Sequence, residues 1–124
     1  MKVLILCNNA VGLQIFRGKI IEELATRGNE VCAVIPESTD VQELTAAEEV
    51  NRIGCRTIAA PMERRGMNPI KDFKLLLDYI KIIRKHNPDM VITYTIKPNA
   101  YGGIACQLCG VPYAINVTGL GTAF

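Results

Sequence analysis

The chain has 124 residues, which suits one domain with a hydrophobic core and is too short for two domains of ordinary size. With 49% apolar and 21% charged residues, the composition indicates a soluble globular protein. The net charge of +2, the low aromatic content and the lack of a dense basic run argue against a nucleic-acid partner.

The cysteines and the apolar runs indicate a cytoplasmic protein. The five cysteines are Cys7, Cys32, Cys55, Cys106 and Cys109. Their odd number and the lack of a signal-peptide pattern predict reduced, buried thiols. Cys106 and Cys109 form a lone CxxC without further ligand partners, so no metal site is predicted. No apolar run approaches the roughly 18 residues of a membrane span.

The first half of the chain alternates between strands and helices. The strand runs are continuously apolar, as strands buried on both faces are: Val3–Leu6, Val31–Ile35 and Thr57–Ala59. The first helix has the apolar stripe Leu13, Phe16, Ile20 and Leu24, and Gly28 ends it. The second helix has the apolar positions Val41, Leu44 and Ile53, with Thr39 and Gln42 spaced as a capping box.

The third helix has the clearest pattern in the chain. Asn68 is the predicted N-cap, and Pro69 suits the first helical position. The apolar stripe consists of Phe73, Leu76, Leu77, Ile80 and Ile83. His86, the single histidine, follows several basic residues near the helix end, so we interpret it as a helix-end residue rather than a catalyst.

The last two predicted strands are Met90–Thr93 and Tyr113–Val117, and the helix between them begins at Pro98-Asn99. The repeated strand–helix–strand order predicts an α/β fold. Specifically, we expect a Rossmann-like, doubly wound parallel sheet of strand order 3-2-1-4-5 with helices on both faces. Ligands of such sheets bind beyond the carboxyl ends of the strands, where the order reverses between strands one and four. The loops Asn8–Gly12 and Tyr94–Asn99 are therefore the candidate site.

These loops do not match the common nucleotide fingerprints. A dinucleotide site needs three spaced glycines after the first strand, and Asn8–Gly12 has one. No P-loop occurs, and Asn8-Asn9 stands where a response-regulator receiver needs acidic residues. No cofactor is therefore predicted.

The strand ends carry neutral polar groups, glycines and a few cations instead. The candidate substrate-binding residues are Asn8, Asn9, Gly12, Arg64, Arg65, Thr95, Lys97, Asn99, Thr118 and Gly119. Amides and hydroxyls both donate and accept hydrogen bonds, as sugar hydroxyls do, and the cations suit a phosphate. This set favours a sugar or a sugar phosphate. Structural interpretations stay open: the asparagines cap helices, Gly102 and Gly103 allow close packing, and Arg64-Arg65 is a solvated turn.

These residues resemble a known family. The chain resembles, over residues 1–124, the N-terminal domain of family 4 glycosyltransferases of the GT-B fold, particularly bacterial enzymes of capsular and O-antigen polysaccharide synthesis. The strongest portions are Lys2–Arg17, Arg64–Pro69, Pro88–Asn99 and Asn116–Gly121.

The resemblance implies a retaining glycosyltransferase that needs no metal and moves a sugar from a nucleotide sugar to a saccharide or lipid-linked acceptor. In such enzymes the loop Asn8–Gly12 lies near the donor diphosphate, and a polyprenyl-diphosphate acceptor would pair with Arg64, Arg65 and Lys97. Many relatives carry a histidine after the fifth strand. Thr118-Gly119 stands there in this chain, so no catalytic residue is assigned.

The resemblance also implies that residues 1–124 are the acceptor-side domain of a longer parent, with the donor-binding domain C-terminal to them. The last residues, Ala123-Phe124, follow soon after the fifth strand, in agreement with a fragment. We expect the fragment alone to be inactive. The expected location is the cytoplasm, with a peripheral contact at the inner face of the membrane.

Two other functions fit the same residues. The first is a stand-alone Rossmann-like domain that binds a small ligand or regulates, without catalysis. The second, weaker, is another two-domain sugar enzyme, such as an epimerase of nucleotide sugars. A second βα domain with paired glutamates in the parent gene would favour the transferase.

Overall fold

The computed structural model describes residues 1–60 and 69–116. Its strands are β1 (Lys2–Leu6), β2 (Glu30–Pro36), β3 (Cys55–Ala60), β4 (Met90–Tyr94) and β5 (Tyr113–Asn116). Its helices are α1 (Ala10–Thr26), α2 (Val41–Arg52), α3 (Pro69–His86) and α4 (Gly103–Cys109), and a π-helical turn, Pro98–Gly102, precedes α4. All five predicted strands are therefore present, although β3 begins at Cys55 rather than at Thr57.

The five strands form one parallel sheet of order β3-β2-β1-β4-β5, which confirms the predicted fold class and strand order. Leu6, the last residue of β1, lies opposite Val34 of β2 and Thr93 of β4. The chain therefore leaves β1 and β4 at the same edge of the sheet. Their two loops emerge side by side at the point where the strand order reverses.

The hydrophobic core has two halves, one on each face of the sheet. Alternate residues of β1 point to opposite faces, as the pleat of a strand requires. Val3, Ile5 and Cys7 pack with Leu13 and Ile21 of α1 and with Ala46 and Val50 of α2. Leu4 and Leu6 pack with Leu75, Tyr79 and Ile83 of α3 and with Ala105 and Cys106 of α4. The sheet is thus covered on both faces, which explains why its strands are continuously apolar.

The face that α2 buries differs from the predicted one. Val41 and Leu44 are exposed, whereas Glu43, Ala46 and Val50 are buried. The small side chain of Ala46 lets α2 pack against α1. The larger apolar residues Val41 and Leu44 therefore do not mark the buried face of α2. The predicted capping box is also wrong, because Asp40 is the N-cap and its side chain accepts from the Gln42 N–H at 2.8 Å.

The predicted stripes of α1 and α3 are correct in part. Leu13 is buried in α1 but Ile20 is exposed, and Ile21 takes its place in the core. Ile83 of α3 is buried, whereas Phe73 and Leu77 are exposed. The side chain of Phe16 and the predicted N-cap Asn68 lie outside the described residues. α3 begins at Pro69 and ends at His86, as predicted.

His86 is a helix-end residue in the structure, as expected. Partial burial, followed by the charges of Lys2, Lys85 and Arg56, lowers the pKa of its imidazole below the ordinary value. Burial and the neighbouring cations thus disfavour the charged imidazole at this helix end.

The thiol prediction is confirmed. All five cysteines are free; Cys7, Cys32, Cys55 and Cys106 are buried and Cys109 is half-buried. Burial is the main cause that raises the pKa of Cys7 and of Cys55 to about 12. Across residues 1–60 and 69–116, none of the helices is both long and apolar enough to cross a membrane.

Candidate functional site

The candidate site lies at the carboxyl edge of the sheet, where the loops after β1 and β4 leave side by side. Of the ten predicted site residues, six belong to these two loops or to the helices that they enter: Asn8, Asn9, Gly12, Thr95, Lys97 and Asn99. The other four, Arg64, Arg65, Thr118 and Gly119, lie outside the described residues. The structure thus brings the first six to one edge.

Asn9 caps α1. Its side chain accepts a hydrogen bond from the Gly12 N–H, and its Nδ2 donates to Asn8 Oδ1 at 2.9 Å. A Cβ added at Gly12 would lie 2.6 Å from Asn9 Oδ1, so a larger residue there would require the Asn9 side chain to shift. The capping interpretation is therefore correct for Asn9, and the two asparagine side chains are linked into one unit.

The first turn of α1 also contacts a residue that the sequence did not single out. Both carboxylate oxygens of Glu43, on α2, accept hydrogen bonds from α1: Oε1 from the Ala10 N–H and Oε2 from the Val11 N–H, each at 2.9 Å. Glu43 is 8% exposed. Together with the Asn9 cap, this carboxylate satisfies the N–H groups of the first three residues of α1.

Thr93 and Asn99 connect the end of β4 to the π-helical turn. The Thr93 side chain is fully buried, and its Oγ1 donates to Asn99 Oδ1 at 2.7 Å. The Asn99 N–H donates to the Thr95 carbonyl at 2.9 Å. The helical conformation begins at Ile96, ahead of the predicted entry at Pro98-Asn99. Asn99 therefore lies within the turn and does not cap a helix.

Lys97 makes an ion pair within the domain. Its Nζ lies 2.9 Å from Asp72 Oδ1, and both side chains are 15% exposed. Tyr101 Oη donates to the other oxygen of the same carboxylate at 3.2 Å. Partial burial, together with the hydrogen bond and charge of Asp72, raises the pKa of Tyr101. The structure thus places the predicted anion-binding cation against a carboxylate of α3.

Thr95 has an unusual backbone conformation. Its φ is 72°, in the left-handed region that a β-branched residue rarely adopts. The strain lies at the end of β4, directly at the switch point. Strained residues of this kind cluster at ligand sites, where the surrounding structure holds them. Thr95 is half-buried, and its hydroxyl donates to the Tyr94 carbonyl.

The described part of the edge is built mainly from amides, hydroxyls and backbone groups. Two carboxylates near this edge, those of Glu43 and Asp72, are paired inside the domain. Within residues 1–60 and 69–116, no cluster of three or more His, Cys, Asp or Glu could hold a metal ion. Such an edge is suited to hydrogen bonding with an uncharged polyol.

Sequence reasoning missed Glu43, Asp72 and Tyr101. Glu43 follows the N-cap Asp40 by three residues, where an acid is ordinary in a first helical turn. Asp72 has the same ordinary place in α3. Their partners lie far away in the chain, and no local pattern indicates them.

The parallel sheet of order β3-β2-β1-β4-β5 defines a Rossmann-like α/β domain. Residues 2–124 match the family described as "Glycosyl transferase 4-like". The chain therefore belongs to that family, and the resemblance to family 4 glycosyltransferases is confirmed.

Two characterised relatives are similar in sequence. One, from Campylobacter jejuni subsp. jejuni serotype O:2, is N,N'-diacetylbacillosaminyl-diphospho-undecaprenol alpha-1,3-N-acetylgalactosaminyltransferase; it is 26% identical over 125 residues, which are 100% of this chain and 32% of the relative. The other, from Escherichia coli, is UDP-Gal:alpha-D-GlcNAc-diphosphoundecaprenol alpha-1,3-galactosyltransferase; it is 36% identical over 61 residues, 49% of this chain and 16% of the relative. The chain thus spans about a third of the first relative's length.

The fold is also found in solved structures. A glycosyltransferase from Rickettsia africae superposes with a TM-score of 0.68 at 19% identity. The superposition covers 92% of this chain and 28% of the other. At this identity the likeness shows the shared fold.

Proposed function

We propose that this chain is the N-terminal, acceptor-side domain of a glycosyltransferase. The enzyme moves a sugar from a nucleotide sugar to a polyprenyl-diphosphate-linked or saccharide acceptor in cell-surface polysaccharide synthesis. The observation that carries the proposal is the family match over residues 2–124. The names of both relatives specify transfer to a sugar on diphospho-undecaprenol, and one names UDP-Gal as donor. The donor-binding domain belongs to the rest of the parent protein.

The polar edge gives this domain a role in such a reaction. The amide of Asn8 and the strained Thr95 stand at neighbouring strand ends, where sugar hydroxyls would find both donors and acceptors. Transfer builds negative charge on the departing nucleoside diphosphate, which positioned donors stabilise. Closure of two domains over the donor excludes water that would otherwise hydrolyse it. A retaining, metal-independent course is part of the proposal through the family resemblance.

The proposal is tested with the full-length parent enzyme. A panel of UDP-linked sugars is incubated with undecaprenyl-diphosphate-linked N-acetylhexosamine, and products are identified by mass spectrometry. We expect a product one sugar heavier, formed with one donor preferentially, and no such product when the lipid-linked acceptor is omitted. If the folded enzyme binds a small ligand but extends no acceptor, the non-catalytic alternative replaces this proposal.

The same proposal includes a peripheral contact with the membrane, for which α3 offers a surface. We define the outer face of α3 as Ile70, Phe73, Lys74, Leu77, Lys81 and Arg84. Three of these residues are apolar yet 82%, 60% and 41% exposed (Ile70, Phe73 and Leu77, respectively), and the other three are basic. Exposed apolar side chains among basic ones match an anionic lipid surface. The contact of Asp72 with Lys97 places the apolar end of this face near the candidate site.

Vesicle flotation tests this contact. The full-length enzyme should float with phosphatidylglycerol vesicles and not with phosphatidylcholine vesicles, and added salt should weaken binding because the basic residues contribute. Phe73→Ser with Leu77→Ser should abolish flotation. The matched control is Ile15→Ser, an equally exposed apolar residue on α1, which should leave it unchanged. Equal flotation of both variants would refute a contact through α3.

A further inference from the structure

Asp72, in the first turn of α3, makes two contacts outside its own helix. Its Oδ1 lies 2.9 Å from Lys97 Nζ, and its Oδ2 accepts a hydrogen bond from Tyr101 Oη at 3.2 Å. The side chain of Asp72 is only 15% exposed. Burial of a carboxylate is costly unless its oxygens are paired, and these two contacts offset that cost. Each oxygen of this carboxylate thus has its own partner in the chain that follows β4.

The two partners of Asp72 belong to one short segment, residues 95–101. Lys97 and Tyr101 are four residues apart, and the helical conformation of this segment begins at Ile96. Residues four apart lie on the same face of a helix, which explains how one carboxylate reaches both side chains. Asp72 is 25 and 29 residues away from them along the chain. It therefore fixes the position of residues 95–101 relative to α3.

A second contact attaches the same segment to the sheet. Thr93 is fully buried at the end of β4, and its Oγ1 donates to Asn99 Oδ1 at 2.7 Å. Residues 95–101 are thus held by β4 on one side and by α3 on the other. Thr95, with its φ of 72°, begins this segment. A strained backbone persists only where the surrounding contacts hold it, and these two contacts are of that kind.

Thr95 can accept a hydrogen bond from a ligand. Its hydroxyl donates to the Tyr94 carbonyl, and a hydroxyl that donates still has lone pairs with which to accept. The side chain is half-buried and lies at the switch point, beside the loop that follows β1. The position of this hydroxyl is set by the backbone of Thr95, and therefore by the contacts that hold residues 95–101.

We propose that Asp72 is a positioning residue for the acceptor sugar. Through Lys97 and Tyr101 it holds residues 95–101, so that the Thr95 hydroxyl lies where a hydroxyl of the acceptor donates to it. Asp72 itself does not touch the substrate. The kinetic consequence of this inference rests on the proposed transferase function, whereas the effect of Asp72 on the order of residues 95–101 is independent of that function.

Hydrogen exchange measured by mass spectrometry tests the structural step in the full-length enzyme. Asp72→Asn keeps the shape of the side chain, but its single carbonyl oxygen can accept from only one of the two partners. A peptide covering residues 95–101 should exchange about tenfold faster than in the unmodified enzyme, because loss of a tertiary contact populates locally open states. The matched control is Glu23→Gln on α1. It breaks an ion pair of the same 2.9 Å distance that is largely exposed, and should leave this peptide unchanged.

Steady-state kinetics test the functional step. In Asp72→Asn, KM for undecaprenyl-diphosphate-linked N-acetylhexosamine should rise about tenfold, because a displaced binding group no longer positions the acceptor. KM for the UDP-sugar should stay the same, because the donor binds mainly to the rest of the parent protein. A merely structural role gives a different pattern, in which a smaller folded fraction lowers kcat and leaves both KM values unchanged. Asp72→Glu keeps the charge and should restore part of the acceptor KM.

Tyr101→Phe is a milder variant for the case that Asp72→Asn does not fold. It removes one of the two contacts and leaves the ion pair between Asp72 and Lys97. Exchange of residues 95–101 and KM for the acceptor should both change in the same direction as in Asp72→Asn, by a smaller factor.

The outcomes separate the roles of Asp72. Unchanged exchange of residues 95–101 in Asp72→Asn would show that the carboxylate does not hold this segment. Faster exchange with an unchanged KM for the acceptor would leave a purely structural contact and overturn the positioning role, as would an equal rise in KM for both substrates. If the unmodified enzyme transfers no sugar at all, the proposed function fails, while hydrogen exchange still decides whether Asp72 holds residues 95–101.

Discussion

Lys97 is the residue whose interpretation changes most when the tertiary structure is considered. Its place after β4 suggested a cation for a diphosphate, and its ammonium lies 2.9 Å from a carboxylate of α3. Asp72 also accepts from Tyr101, so three side chains from two segments form one network. If Lys97 binds the acceptor, it does so while paired with Asp72, and the same ion pair joins the loop after β4 to α3.

Lys97→Ala should destabilise the domain by about 1–3 kcal/mol, because the largely buried carboxylate of Asp72 then loses its charged partner. The free energy of unfolding is measured by urea denaturation. Tyr101→Phe, which removes the weaker donor, should cost less, about 0.5–1.5 kcal/mol. In the double variant Lys97→Met/Asp72→Asn the charge is removed from both partners, so part of the stability should return. A Lys97→Ala domain as stable as the unmodified one would contradict this network.

At the scale of elements, the π-helical turn Pro98–Gly102 determines how the chain passes from the sheet edge to α4. Pro98 has no N–H to donate, and the wider π-helical turn accommodates it. Within the same turn, Asn99 Oδ1 accepts a hydrogen bond from Thr93 Oγ1. Gly102, at the end of this turn, is buried against β1 and β4. The turn therefore requires the backbone of Gly102 to lie close to side chains of β1 and β4.

The two adjacent glycines offer a matched test of that approach. A Cβ at Gly102 would lie 2.6 Å from Leu6 Cδ1 and 3.0 Å from Thr93 Cγ2, and both of these side chains are fully buried, so packed groups would have to shift. Gly102→Ala should therefore cost about 1–3 kcal/mol of unfolding free energy. A Cβ at Gly103 would meet Tyr113 Cε2 at an ordinary 3.4 Å, so Gly103→Ala should be neutral or slightly stabilising. Equal effects of the two substitutions in chemical denaturation would be evidence against close packing at Gly102.

The helices show how far periodicity alone can assign a buried face. The existence and order of all the helices were predicted correctly, since apolar spacing and helix-end residues are local signals. The exact faces of α2 and α3 were not. In α2 a small alanine and a glutamate are buried, and in α3 Phe73 is exposed while Tyr79 is fully buried. Hydrophobicity alone would rank these residues in the opposite order. Which face of a helix is buried depends on the elements that it packs against, and the local sequence does not show them.

At the scale of the whole molecule, the buried thiols predict a loss of stability at alkaline pH. Burial raises the pKa of Cys7 and Cys55 to about 12 and of Cys106 to about 11, from an ordinary value of 9.0. Above pH 9 the unfolded chain releases these protons and the folded chain retains them, so stability falls as pH rises. The thermal midpoint should therefore decline steadily from pH 9 to pH 11.

Cys7→Ala provides the comparison for this pH dependence. It should lower the midpoint at neutral pH through the loss of buried volume, but the further decline between pH 9 and pH 11 should be shallower than in the unmodified protein. Scanning calorimetry at each pH measures both effects. A midpoint that is the same at pH 7.5 and pH 10.5 would contradict the raised pKa values.

A second prediction for the whole molecule concerns activity. If residues 1–124 supply only the acceptor side, a protein of these residues alone should transfer no sugar from any nucleotide donor, because the donor-binding domain and the closed cleft are missing. The same transfer assay with the full-length enzyme is the positive control. Turnover by the folded 124-residue chain would refute the division of labour between domains.

The sequence by itself determined the class of fold and the strand order, and it predicted the edge of the sheet at which a ligand would bind. These follow from short-range signals, namely continuous apolar runs, helical spacing and the handedness of parallel crossovers. Only the tertiary structure decided which polar groups at that edge are already paired. Asn99 bonds to Thr93, Lys97 to Asp72 and Glu43 to α1, the last across 33 residues of chain. A hydrogen bond depends on the positions of both partners in space, and a partner supplied by a distant segment leaves no trace in the local pattern.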